Sequence, residues 1–135
     1  MKGLPEPVYF TDRDLGRQFP EALIAAGLRV ERHDQHFPTD TADAVWIPEV
    51  AQRGWIALSR DKRIRYSPLA LNVLRESNTR LFVLVGKLST QESVDIFLEH
   101  QTAIEHFIKT ESPPFIAKIR RDGVTLWLGS EAQTI

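Results

Sequence analysis

The chain reads as an α/β fold: a short, mostly parallel central sheet flanked by helices, with a C-terminal β-hairpin. Three observations predict it. Short apolar runs at Val8–Phe10, Leu28–Arg32, Trp55–Leu58 and Arg80–Val85 alternate with segments of helical character. That order builds parallel strands through right-handed crossovers. Leu81-Phe82-Val83-Leu84-Val85 is apolar without alternation, as a strand covered on both faces requires. Lastly, Arg121-Asp122-Gly123 separates Phe115–Arg120 from Val124–Leu128, and Asp-Gly between such runs signals a hairpin.

Taken in order, Val8-Tyr9-Phe10 is the first strand, bounded by Pro7 and by Thr11-Asp12-Arg13-Asp14. A helix follows to Ala26, with Gly27 suited to the left-handed position beyond it. An interior proline costs about 3 kcal/mol. Pro20 therefore predicts a loose turn over Gly16–Phe19 and a regular helix only from Pro20. Leu28–Arg32 is the second strand and His33–Thr41 a polar loop. Asp43–Arg53 is helical with a kink or restart at Pro48, and Gly54 ends it before the third strand, Trp55–Leu58. Pro68, after Ser67, suits a first helical position where its missing N–H does no harm, so a short helix opens there. Arg80–Val85 is the fourth strand. Ser89-Thr90-Gln91-Glu92 is a capping box that starts one long helix to Lys109, striped by Val94, Phe97, Leu98, Ile104 and Phe107. Beyond Pro113-Pro114 the hairpin reads as an antiparallel appendage.

Composition excludes more than it selects. The 135 residues suit one domain with a sizeable core, and 42% hydrophobic with 26% charged content argues against disorder. With no cysteine there is no disulfide, thiolate zinc site or cysteine nucleophile, which fits a cytoplasmic protein. No apolar run approaches the roughly 18 residues that span a bilayer, so no membrane partner is expected. Met1-Lys2-Gly3-Leu4-Pro5-Glu6-Pro7 lacks the apolar core of a signal peptide. A net charge of −1 leaves any nucleic-acid contact to local basic patches.

Three aspartates carry the chemistry. Asp12 and Asp61 each follow a strand, and Asp43 opens the helix between them. Strand ends of a parallel sheet face one crevice. Carboxylates gathered there raise one another's pKa unless a cation compensates, and hard oxygen ligands favour Mg²⁺ or Mn²⁺. Each aspartate also has a plain structural reading, as a cap, a first-turn acid or an Asx turn. Asp14 and Asp40, close to better-placed acids, read as caps or solvated side chains. Arg60, Lys62, Arg63 and Arg65 surround Asp61, and Arg13 and Arg17 flank Asp12; these cations suit the gripping of phosphate. Arg120 and Arg121 read as turn residues. His33-Asp34-Gln35-His36 has a metal-like spacing with no second pair to complete zinc, although its loop opens toward the crevice and contact with substrate. Trp46, Trp55 and Trp127 read as packing anchors. No glycine-rich phosphate loop or serine elbow is present.

At these residues the sequence resembles a known family. Phe10-Thr11-Asp12-Arg13-Asp14-Leu15-Gly16, Asp43-Ala44-Val45-Trp46-Ile47-Pro48-Glu49-Val50 and Gly54-Trp55-Ile56-Ala57-Leu58-Ser59-Arg60-Asp61-Lys62-Arg63-Ile64 are similar to PIN-like domains of VapC-type toxins. The closer likeness is to the compact branch that includes Mut7-C-like PIN domains. The resemblance implies a three-layer fold over residues 1–135 and a magnesium-dependent endoribonuclease, commonly the toxin of a toxin–antitoxin pair. It also implies an RNA substrate and a cognate antitoxin, with a homodimer open. Carried over, Asp12, Asp43 and Asp61 are the catalytic and metal-binding acids, and Arg13, Arg60, Lys62 and Arg63 the substrate-binding cations. Such nucleases show four acids. A fourth is not evident in the pattern, and Glu49 is the nearest candidate. Two rivals stand beside this reading. One is a PIN-like module that binds RNA or a partner without cutting. The other is a phosphoacceptor domain, invited by Gly86-Lys87 but opposed by Arg13 splitting the first acidic pair.

Overall fold

The computed structural model describes residues 6–129; the leading residues Met1–Pro5, on which much of the signal-peptide expectation rests, lie outside them. Six strands form one sheet in the order β2-β1-β3-β4-β5-β6. They are β1 (Val8–Thr11), β2 (Arg29–Arg32), β3 (Ile56–Ser59), β4 (Arg80–Leu84), β5 (Phe115–Arg120) and β6 (Gly123–Leu128). The first five run parallel and only β6 is antiparallel. This corrects the reading of the hairpin as an appendage. β5 pairs with β4 along Arg80↔Phe115 to Leu84↔Ile119 and is a central strand, with Phe115, Ile116 and Ala117 fully buried.

Period-two alternation sorts the core into two layers, one on each face of the sheet. Tyr9, Leu58, Phe82, Phe115 and Ala117 pack beneath α1 (Gln18–Ala25), α5 (Thr90–Glu99) and α6 (Gln101–Thr110). Phe10, Ala57, Leu81, Val83 and Ile116 pack beneath α3 (Asp43–Gln52) and α4 (Pro68–Glu76). The result is the expected three layers, with both faces of β4 covered.

Several expectations about helices shift. α1 starts at Gln18, before Pro20, with a tight 3₁₀ turn at Arg13–Leu15 ahead of it. Pro20 falls in the first helical turn, where N–H groups have no intrahelical acceptor, so the proline cost does not arise. Gly27 does follow α1 with φ +97°, in the left-handed region. α3 runs without a restart through Pro48. Within the supposed polar loop, His33–His36 forms a one-turn helix, α2. The long helix breaks at His100, whose Nδ1 donates to the Ile96 carbonyl at 2.8 Å and so closes α5. α6 restarts at once at Gln101.

Candidate active site

Where β1 and β3 end, the chain leaves the sheet through two 3₁₀ turns, each capped by an aspartate. The Asp12 carboxylate accepts from the Arg13 N–H at 2.8 Å, and the Asp61 carboxylate from the Arg63 N–H at 3.0 Å. Asp12 N–H also donates to Leu58 O at 3.0 Å, which fixes the end of β1 against β3. α3 brings Asp43 in on its first turn, where its carboxylate accepts from the Trp46 indole N–H at 2.9 Å. The three acids predicted from sequence therefore meet around one crevice of about 480 Å³, together with Arg13, Asp14, Arg60 and Arg63. Lys62, also predicted, is exposed beside that lining without being part of it.

Asp14 is a fourth acid in the crevice, one that the pattern did not reveal. Its carboxylate accepts from the buried Ser59 hydroxyl at 3.1 Å and from the Arg60 N–H at 3.1 Å. Glu49, the candidate proposed in its place, instead pairs with Arg53 on α3. The signal available was Asp-x-Asp directly after a strand: a tight 3₁₀ turn folds the second acid back toward the neighbouring strand end. Ser59 was also missed. It is fully buried, lies 3.4 Å from Asp12 Oδ2, and accepts from the Asp61 N–H at 2.9 Å. One hydroxyl thus touches three of the aspartate residues.

The acids differ in proton affinity for physical reasons. Burial pushes the Asp12 carboxyl up to about 7, with the negative field of Asp14 adding to it and the Arg13 N–H opposing. Asp14 is raised too, first by lost hydration at its carboxyl end, against the Ser59 and Arg60 hydrogen bonds. As a residue Asp14 is exposed, whereas Asp12 is buried. Asp61 goes the other way. Its carboxyl is lowered by the Arg63 guanidinium, which reaches both oxygens at 2.9 and 3.2 Å.

These donors suit a hard divalent ion in kind, being all oxygen, although Arg63 already compensates Asp61. Among the described residues, no three acidic, histidine or cysteine side chains stand close enough to hold an ion as they are placed. The histidine pair is divided between two surroundings. His33 is buried among Phe10, Phe37 and Trp46, while His36 bonds Glu31 at 2.7 Å. A larger cavity of about 900 Å³ opens elsewhere, lined by Arg29, Arg53, Arg80 and Lys109 among others. It includes the residues that begin β1 and β3, the opposite end from the acids, and gathers no carboxylate cluster, so size does not mark the reaction centre.

Comparison with known proteins agrees with this geometry. A protein of Mycobacterium tuberculosis (strain ATCC 25618 / H37Rv) named "Putative ribonuclease VapC45" is 33% identical over 78 residues. That match spans 54% of this chain and 56% of the relative, about half of each. No solved structure matches. The profile of the family described as "PIN like domain" matches residues 7–86, from β1 through β4 with all four crevice aspartates. Covering more than half of the chain, that match establishes that the chain belongs to the PIN-like domain family.

Proposed function

We propose that the protein is a divalent-metal-dependent endoribonuclease of the cytoplasm that acts as the toxin of a toxin–antitoxin pair. The observation that carries this reading is the convergence of Asp12, Asp14, Asp43 and Asp61 on one crevice, with Asp12 pushed up to about 7. Asp12, Asp14, Asp43 and Asp61 are the residues that would hold a Mg²⁺ or Mn²⁺ ion, with Ser59 joining the first two. When bound, the ion supplies Lewis-acid polarisation of the scissile phosphate and compensates the crowded carboxylates. The protein's own groups do the rest. Arg13, Arg60 and Lys62 grip flanking phosphates. Arg63 can exchange its carboxylate for a phosphate oxygen, which frees Asp61. A crevice carboxylate not engaged on the ion would orient the attacking water and take its proton.

A test follows from isosteric changes. Asp12→Asn and Asp61→Asn keep volume and capping ability. Each should lower Mn²⁺-dependent RNA cleavage at least about a hundredfold, the scale of losing a positioned acid–base group, while the melting curve stays cooperative. Expression of the wild type alone should slow bacterial growth, and Asp61→Asn should relieve it. Full activity in both variants removes the crevice from the chemistry. One observation favours a second reading, RNA binding without cleavage: Arg63 closes Asp61 as the side chains stand. Absence of cleavage by the wild type, with binding intact, would select it.

A further inference from the structure

Trp127 of β6 and Tyr66, at the end of the 3₁₀ turn Lys62–Tyr66, meet edge to face with ring centroids 6.3 Å apart and an interplanar angle of 84°. Two cations back the pair. The Arg65 guanidinium lies 5.4 Å from the Tyr66 ring and 5.3 Å from Trp127, and Lys118 Nζ lies 5.1 Å from Trp127. Neither cation has a carboxylate partner among the described residues, and Arg65 Nε is out of water without a hydrogen bond. Tyr66 is nevertheless 67% exposed, so the face turned from Arg65 is open. A packing role alone does not explain this, because a large ring left in water forfeits its burial energy.

The position matters as much as the chemistry. The same 3₁₀ turn starts at Lys62, next to Asp61, and five residues at ~2 Å each put Tyr66 about 10 Å along it from the crevice. We propose that Tyr66, braced by Trp127, is a stacking subsite for an unpaired base of a single-stranded RNA, with Arg65 and Lys118 holding the adjoining phosphates. The proposal rests on the nuclease reading for the placement of the scissile phosphate. Charge favours RNA over a protein occupant: open aromatic faces beside uncompensated cations are how sequence-tolerant single-strand binders work. Duplex RNA has no free base face to offer. Lys118 and Trp127 lie beyond residues 7–86, so the subsite draws on a part of the chain that the family match does not reach.

The test is binding in excess chelator, which uncouples it from cleavage. Fluorescence anisotropy would follow a short labelled oligoadenylate, the same oligomer with its bases removed, and an RNA duplex. Tyr66→Ala should weaken oligoadenylate binding about five- to a hundredfold and leave the duplex unchanged, whereas Tyr66→Phe should bind as wild type. The base-free oligomer should lose affinity for the wild type by a similar factor. Lys118→Gln should lower the salt dependence by about 0.7 in log–log slope, as one lost phosphate contact does. Equal oligoadenylate affinity in wild type and Tyr66→Ala overturns the subsite, as does an equal loss for duplex or an indifferent base-free oligomer. A patch that serves a protein partner would give the first of these results. Adding Mn²⁺ to the wild-type complex separates the two claims. Binding without cleavage overturns the nuclease and leaves the subsite; cleavage unaffected by Tyr66→Ala does the reverse.

Discussion

Asp12 uses its two oxygens differently, one capping a turn and the other facing Ser59 and a like charge. The capping reading from sequence therefore holds for one oxygen, while the other is left on the crevice side. Its raised proton affinity has a sign that can be measured. The native carboxyl titrates near 7 against 3.8 for the unfolded chain, so the protonated form stabilises the fold. That contribution is full below about pH 4 and lost as pH rises through 7. Asp14 acts in the same direction. Buried His33, lowered from 6.5, acts in the opposite one. The difference between wild type and Asp12→Asn isolates the first. In chelator, wild type should lose stability relative to Asp12→Asn between about pH 4 and 7, by a few kcal/mol in thermal melts. A constant difference across that range would show Asp12 unperturbed. Arg63 offers a second handle. Arg63→Ala should release Asp61, raising Mn²⁺ affinity in calorimetric titration while RNA binding weakens. Unchanged Mn²⁺ affinity would mean that Asp61 stands outside the ion's reach. Sequence made Asp12 and Asp61 legible because strand ends announce themselves, and Asp43 because it opens a helix between them. Ser59 was hidden because a serine closing an apolar run looks like any strand terminus.

At the scale of elements, what was legible followed local rules and what was not followed geometry between neighbours. The Ser89–Glu92 capping box is fully formed, with Glu92 N–H donating to Ser89 Oγ at 3.1 Å and Ser89 N–H to Glu92 Oε1 at 2.8 Å. It starts the helix that sets Phe97 edge-on against Tyr9 and Phe19. Ser89→Ala should therefore cost about 0.5–2 kcal/mol, seen as a melting point lower by a few degrees, with Mn²⁺ response intact. A larger loss would mean the capping box holds more than its own turn. The break at His100 left no sign in the apolar spacing, because Ile104 and Phe107 keep a helical period across it. A ring nitrogen finding a carbonyl four residues back is decided by rotamer and packing. Pro20 misled for the opposite reason: the rule about interior prolines was sound, but the start of the helix was placed two residues late.

For the whole molecule, the α/β alternation was enough to give a three-layer sheet, whereas the place of the last hairpin depended on what lay beside it. β4 is apolar on both faces, which demanded helices above and below; its second edge demanded another strand, and β5 supplies it. A fragment ending at residue 86 would carry every crevice aspartate and the whole family match, yet leave Leu81, Phe82 and Val83 on a bare edge. Such an edge invites association between chains. The fragment should aggregate or melt without cooperativity while the full chain melts in one transition; a soluble, cooperatively melting fragment would show β5 to be dispensable. The same strand order bears on biosynthesis. A ribosome finishes the last crevice acid at Asp61 long before Phe115–Arg120 emerges to close the sheet. Parallel pairing between distant segments is slow to form. A nascent chain therefore carries all four crevice aspartates before the strand that closes the sheet has been made. For a protein proposed to attack RNA, alignment of those acids would then wait on the strand that is made last but one.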